Sequence, residues 1–158
     1  MAEEYTFDSI DFITVGTIGE PGQRVFHLQV GKGQRLLTLI LEKEQAAALS
    51  ASIKNVLEEI EKQFGRATDE PDLSETDYEL REPILPSFRI AQIGLGYDDR
   101  FDRVLLVVSE LLPEDATQEP RSAQVSATRD QMRGLAEFAA RVVVAGRPTA
   151  QSNGKPRT

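Results

Sequence analysis

The strongest constraint on the fold is an order of sequence patterns that occurs twice along the chain. From Ile10, three β-branched and apolar segments separated by turns lead into a stretch of helical periodicity that ends near Phe64. A second series of three segments begins at Phe88 and leads into a helical stretch that ends at Gly146. Two series of three strands and a helix predict an α+β fold.

The two predicted helices show their apolar residues at helical spacing. The first helix lies between Lys43 and Phe64, with Glu42 at the N-cap position. The second begins at a capping box, in which Thr128 is followed three residues later by Gln131. Each helix therefore presents one apolar face, and we expect both to cover the apolar face of a sheet.

Corresponding positions in the two halves support a duplication. The paired positions are Gly19 with Gly96, Val25 with Val104, Gln45 with Gln131, and Leu49 with Leu135. We predict a duplicated βββα unit, in which two antiparallel meanders and their two packing helices are related by a pseudo-two-fold axis. The sequence leaves open whether the meanders form one sheet or two apposed sheets.

The strand patterns differ between the halves. In the first half, apolar and polar residues alternate, as expected of a strand with two different faces; they are Phe26, Leu28 and Val30 against His27 and Gln29. In the second half, the segment from Val104 to Leu112 shows little alternation. That pattern is typical of a strand covered on both faces.

The chain is predicted to form a single domain over residues 1–148, with half one at about 8–65 and half two at about 87–148. Residues 66–86 are rich in Asp, Glu and Pro, which favours a solvated acidic linker. Residues 149–158 carry no large apolar side chain, and we expect a disordered tail there.

Composition limits the function classes. Eighteen basic and 26 acidic residues give a net charge of −8, which disfavours nucleic acid as a partner. The chain has no cysteine and one histidine, so a thiolate nucleophile is excluded and a zinc site is hard to assemble. No apolar stretch approaches the roughly 20 residues of a membrane span, and the N-terminus does not resemble a signal peptide. We therefore expect a cytoplasmic protein without a membrane partner.

Several short segments, in the same order, resemble an uncharacterised bacterial family, domain-of-unknown-function family 3090. They are Val15 to Gly22, Phe26 to Gln29, Leu41 to Gln45, Phe88 to Ile90, Gly94 to Asp98 and Ala145 to Pro148. The resemblance implies a Cys- and His-containing tail of zinc-ribbon type in many members. Residues 149–153 replace it here, so the resemblance implies no metal ligand in this chain and no established activity.

Five residues are candidates for a ligand or partner surface. His27 has the only side chain with an ordinary pKa near neutrality, but its place in mid-strand favours a structural role. Glu42 and Lys43 open the first helix, where capping is an alternative to ligand binding. Asp98 and Asp99 lie in a turn that also contains Asp102, and these carboxylates form either a cation site or a solvated turn.

No catalytic residue, cofactor or metal site is assigned from the sequence. The predicted function is a non-enzymatic binding or adaptor protein that acts through the groove between the halves, the helix faces or the acidic loops. The alternative is an enzyme, or an accessory subunit of one, that uses His27 with Glu42 or Asp98. The identity of a protein partner and the oligomeric state are not determined by the sequence.

Overall fold

The α+β fold predicted from the repeated patterns is present in the computed structural model, which describes residues 3–68 and 70–145. Within these residues the elements, in chain order, are β1 (Glu4–Phe7), β2 (Phe12–Ile18), β3 (Val25–Lys32), β4 (Arg35–Leu41), α1 (Lys43–Phe64), α2 (Glu75–Tyr78), β5 (Pro86–Asp98), β6 (Arg103–Glu110), β7 (Ser122–Ala127) and α3 (Arg129–Ala145). The predicted helix end at Gly146 and the predicted tail at 149–158 lie outside the described residues.

The strands form one mixed sheet in the order β1-β7-β6-β5-β4-β3-β2. Strands β2, β3 and β4 make one antiparallel meander, and β5, β6 and β7 make the other. Parallel pairing of β4 with β5 joins the meanders, so they share one sheet rather than forming two apposed sheets. Strand β1 pairs in parallel with β7 and was not predicted, because four residues are too few to show a pattern.

The sheet is strongly curled. In a flat sheet, the six steps from β1 to β2 would separate these strands by about 29 Å. The chain from Phe7 to Phe12 spans at most about 18 Å, so the two edges must approach each other. Arg35 on β4 bridges to β1, where its Nη1 donates to the carbonyl oxygen of Thr6 at 2.9 Å. The same guanidinium lies 4.0 Å from the ring centre of Phe7.

The inner face of the curled sheet carries the apolar core, to which both long helices contribute buried side chains. Helices α1 and α3 pack against each other, and Ser50 Oγ donates to the carbonyl oxygen of Ala136 at 2.7 Å. Helix α1 also contacts β5, and α3 contacts β2. In the described part of the chain, no helix combines the length and apolarity that crossing a bilayer requires.

A glutamine near its N-terminus ties α1 to β5. The Gln45 Oε1 accepts a hydrogen bond from the backbone N–H of Glu42, the predicted N-cap residue, at 2.7 Å. Its Nε2 donates to the carbonyl oxygens of Ile90 at 3.1 Å and Ala91 at 3.3 Å. One side chain thus caps a helix of the first half and binds a strand of the second.

Helix α3 begins in the same way. Thr128 Oγ1 accepts from the N–H of Gln131, and Gln131 Oε1 accepts from the N–H of Thr128, both at 3.0 Å. These are the two hydrogen bonds of the predicted capping box. The Nε2 of Gln131 donates to the carbonyl oxygen of Ile10 at 2.9 Å, just before β2. This helix of the second half is therefore tied to the first half.

The acidic segment expected to be a solvated linker packs against the domain. We call residues 70–86 the strap. The ring of Tyr78 stacks on Phe138 of α3 at a centroid distance of 4.9 Å and fits against Gly134, where a Cβ would collide with the Tyr78 hydroxyl. The glycine therefore provides the space that the tyrosine occupies.

Beyond Tyr78 the strap crosses the outer face of the first meander. Thr14 Oγ1 donates to the carbonyl oxygen of Tyr78 at 2.6 Å, and Leu80 covers Gly16. The buried amide of Gln29 binds both backbone groups of Arg81, accepting from its N–H at 2.7 Å and donating to its carbonyl at 2.9 Å. The composition did not predict this packing, because Asp77, Glu79 and Glu82 are exposed while backbone groups and a few larger side chains make the contacts.

The strap also reverses the burial expected of two strands. Strand β3, with its polar alternation, is buried on both faces between Phe26 and Gly31. Strand β6 was predicted to be covered on both faces, and this is wrong, because Val107 on its outer face is 44% exposed. The physical reason is that the strap covers the outer face of the first meander only.

We predict that Tyr78→Ala lowers the free energy of unfolding by about 2 kcal/mol, less than a fully buried aromatic side chain would cost. Loss of the ring from Phe138 should also free the strap, so limited proteolysis within residues 70–86 should become faster. Urea denaturation and protease digestion measure the two effects. The neighbouring exposed Glu79→Ala is the control, and an equal effect of both substitutions would contradict a packed Tyr78.

Candidate functional site

The pocket at the start of α1 contains two of the five candidate residues. It has a volume of about 350 Å³ and is lined by Gly22, Arg24, Val25, Phe26, Leu41, Glu42, Lys43, Glu44 and Arg89. Arg89 Nη1 donates to Glu42 Oε2 at 2.6 Å. Both partners are exposed, so this ion pair contributes little to stability. The pocket therefore has mixed charge, and the Glu42 carboxylate is already paired.

His27 is on the outer face of β3, two positions along from Val25, which lines this pocket. The residue is 5% exposed, and its Nδ1 is 3.0 Å from the carbonyl oxygen of Val25. Burial lowers the pKa of His27, because the charged imidazolium would lose its hydration, and the hydrogen bond to Val25 opposes this only in part. His27 is not among the described residues that line the pocket at the start of α1.

Asp98 and Asp99 lie at the turn between β5 and β6. Asp98 Oδ1 accepts from the backbone N–H of Arg100 at 3.0 Å. Asp98 lies nine positions beyond Arg89 on β5, which corresponds to about 30 Å along a strand. Glu42 and Lys43 therefore line one pocket, and His27, Asp98 and Asp99 are not among its described lining residues.

The third carboxylate of that turn, Asp102, is the centre of a hydrogen-bond cluster. Tyr97 OH donates to its Oδ1 at 2.6 Å, and Arg129 Nε donates to the same oxygen at 2.7 Å. Arg66 Nη2 donates to Oδ2 at 2.9 Å. Arg129 is 4% exposed and also donates to the carbonyl oxygen of Gly65 at 2.7 Å. The cluster joins the end of α1, the β5–β6 turn and the start of α3.

The hydrogen bonds of this cluster keep its charges in place. The hydrogen bond from Tyr97, with those from the two arginines, lowers the pKa of Asp102. The same bond raises the pKa of Tyr97. Burial acts to lower the pKa of Arg129, but its bonds to Tyr97 and Asp102 outweigh this and raise it. With its oxygens bound in this way, Asp102 holds three segments together, and no group of three acidic or His side chains among the described residues converges on a cation position.

A largely apolar groove lies between α1 and β5. It has a volume of about 300 Å³, and we call it the α1–β5 groove; its walls are Gln45, Ala48, Leu49, Ser52 and Val56 from the helix and Ala91, Ile93 and Leu95 from the strand. At Val56 it continues into a second cavity of about 300 Å³ that reaches Phe64 and Tyr97. The rings of Phe64 and Tyr97 close this end at a centroid distance of 5.1 Å.

This groove lies between the two halves, because α1 belongs to the first and β5 to the second. From Gln92 to Asp98, β5 pairs with β6 on one side. On its other side, the pairing of β5 with β4 ends at Arg89. Among the described residues, no strand pairs with this part of β5 on its other side, and Ala91, Ile93 and Leu95 line the groove opposite α1. Sequence reasoning placed a site between the halves but did not predict these residues, because Ala48 and Ser52 are small and carry no reactive group.

The fold and the groove define an α+β domain with a curled mixed sheet, two packed helices and an apolar cleft. The chain belongs to the family described as Protein of unknown function (DUF3090), whose model matches residues 5–158. The predicted family is thereby confirmed, and the 158 residues contain no cysteine. Neither a curated protein nor a solved structure matches it.

We predict that Asp102→Asn lowers the free energy of unfolding by about 1–3 kcal/mol, since Arg129 loses a charged hydrogen-bond partner. Asparagine also tolerates the positive φ of 54° at this position, so backbone strain is not added. Urea denaturation measures the change. The exposed Asp99→Asn in the same turn should stay within about 0.5 kcal/mol of the parent, and similar losses for both would argue against the cluster.

The lowered pKa of His27 predicts a dependence of stability on pH. Below about pH 6.5 the unfolded chain binds a proton at this residue that the folded chain does not. Stability should therefore fall as the pH decreases from about 7.5 to 5, until the lowered pKa of the folded state is reached. Urea denaturation across this range should show the loss in the parent and a flatter profile in His27→Gln. Parallel profiles would contradict a buried neutral His27.

Proposed function

We propose that this protein is a non-enzymatic binding protein whose binding site is the α1–β5 groove. The proposal rests on apolar side chains that stay partly exposed on the walls of this groove. Ile93 and Leu95 are only half-buried in the open groove, whereas Ile13 and Val15, at the matching places on β2, are 3% and 0% exposed. An open apolar cleft of this volume is typical of a ligand or partner site.

The comparison of matching places depends on the duplication, which we also propose. Strand registers support it, because each half contains the same three rows of inward-facing residues. The rows of the first half are Ile13–Val30–Leu37, Val15–Leu28–Leu39 and Thr17–Phe26–Leu41. Those of the second half are Ile93–Val108–Ala123, Leu95–Leu106–Val125 and Tyr97–Val104–Ala127. In this alignment Gly16 takes the position of Gly96, three residues from the Gly19 chosen on sequence alone.

Reciprocal contacts support the pseudo-two-fold relation. Gln45 of the first half binds the carbonyl of Ile90, and Gln131 of the second half binds the carbonyl of Ile10. Helix α1 contacts β5, and α3 contacts β2. Parallel pairing of β4 with β5 is matched by that of β7 with β1. A two-fold axis exchanges the members of each pair.

The enzymatic alternative has less support, since it requires His27 within hydrogen-bond reach of Glu42 or Asp98. Among the described residues, the hydrogen bonds of these three side chains go to other partners: Val25, Arg89 and Arg100. Binding through the groove needs no such cluster. The cytoplasmic location and the bacterial source stay predictions from the sequence.

Site-specific photocrosslinking in the native host tests the proposal. A benzoylphenylalanine in place of Ser52 lies on the wall of the groove, and the same residue in place of Ala47 lies on an exposed part of α1 outside the groove. We expect a discrete crosslinked species from position 52 and none from position 47. Mass spectrometry identifies whether it is a protein or a small molecule.

The comparison of the two positions decides the outcome, because both lie on the same helix and carry the same reactive group. Equal crosslinking at positions 47 and 52 would indicate random collisions. Absence of a crosslinked species at position 52, with normal amounts of folded protein, would overturn the groove as the binding site.

A further inference from the structure

We propose that the α1–β5 groove binds a peptide segment of a partner protein that carries an aromatic residue followed two positions later by an aliphatic one. The inference rests on the proposed function and names the partner class. Its basis is the strap, because Tyr78 and Leu80 occupy in one half the places that stay open in the other.

The aromatic ring of Tyr78 contacts two residues of α3 that have counterparts on the wall of the groove. Counted from the capping glutamines, Gly134 and Phe138 on α3 correspond to Ala48 and Ser52 on α1. Tyr78 packs against Gly134 and Phe138. Ala48 and Ser52 instead line the open groove, together with Ile93. Among the described residues, no side chain fills between α1 and β5 the space that an aromatic ring fills between α3 and β2.

The aliphatic side chain of the strap, Leu80, lies on a glycine that has a counterpart in the second half. Leu80 covers Gly16 so closely that a Cβ on this glycine would lie 2.7 Å from Leu80 Cγ. Gly96 corresponds to Gly16, and a Cβ there would have Leu105 Cβ as its nearest neighbour at 4.0 Å. The surface above Gly96 is thus free to receive an aliphatic group.

The outer face of the second meander is apolar where the outer face of the first is polar. Leu105 and Val107 correspond to His27 and Gln29. His27 and Gln29 lie on the side of the sheet that the strap covers, and they are 5% and 0% exposed. Val107 is 44% exposed, and its partner across the ladder is Gly94. Whereas Gln29 binds the strap through its backbone, Leu105 and Val107 offer only apolar contact. This face therefore selects apolar side chains.

The strap sequence itself is the probe. A fluorescein-labelled peptide with the sequence of residues 74–82 contains both Tyr78 and Leu80, and a second peptide replaces both with alanine. Fluorescence polarisation measures binding to the full chain. We expect saturable binding of the first peptide and at least about tenfold weaker binding of the second, since buried aromatic anchors dominate such contacts.

Matched variants locate the site. Ala48→Phe fills the groove and should weaken peptide binding about tenfold or more, whereas Ala47→Phe, on the exposed surface of the same helix, should change it less than about twofold. Circular dichroism establishes that both variants are folded. Equal binding to both variants would overturn the proposal, and would indicate instead that the peptide displaces the strap from α3.

The remaining outcomes separate this inference from the proposed function. Crosslinking at position 52 without peptide binding would keep the groove as a binding site and overturn the aromatic-to-aliphatic peptide as its occupant. Analytical ultracentrifugation tests whether a second copy of the chain occupies the groove instead. A dimer that Ala48→Phe dissociates and Ala47→Phe does not would assign the groove to self-association and overturn the partner peptide.

Discussion

The structure depends on a short connection between two strands that are six steps apart in the sheet. Because Phe7 and Phe12 must stay within reach of each other, the sheet curls until its edges approach. The curl places α3 on β2 and α1 on β5, so each helix packs on the first long strand of the opposite half. The capping glutamines then stabilise this exchange by binding strand carbonyls across the halves.

The two halves share this plan but differ in what covers them. The strap fills the space between α3 and β2 and continues over the outer face of the first meander. Without an equivalent cover among the described residues, the second half leaves the α1–β5 groove and the outer face of β6 accessible. Under the proposed duplication, the candidate site is the place where the second half lacks the cover present in the first, and its chemistry is that of apolar packing.

Local patterns predicted the parts of the fold that depend on neighbouring residues. The helical spacing after Lys43 and the capping box at Thr128 and Gln131 are both present, because a helix and its cap form within one short segment. The short strand β1 could not be predicted, since its four residues are stabilised by pairing with β7, more than one hundred residues away along the chain. The five candidate residues were chosen by chemical type, and only Glu42 and Lys43 line a common pocket among the described residues.

The sequence by itself determined the α+β class, the order of the six longer strands and two long helices, the starts of both long helices and the family. Only the tertiary structure decided which strand faces are buried and where an apolar groove stays open. The physical reason is that burial depends on what crosses a face. The acidic side chains of the strap can be read as solvated, but its backbone and Tyr78 make contacts that composition does not record. Polar β3 is therefore enclosed, while apolar Val107 on β6 faces solvent.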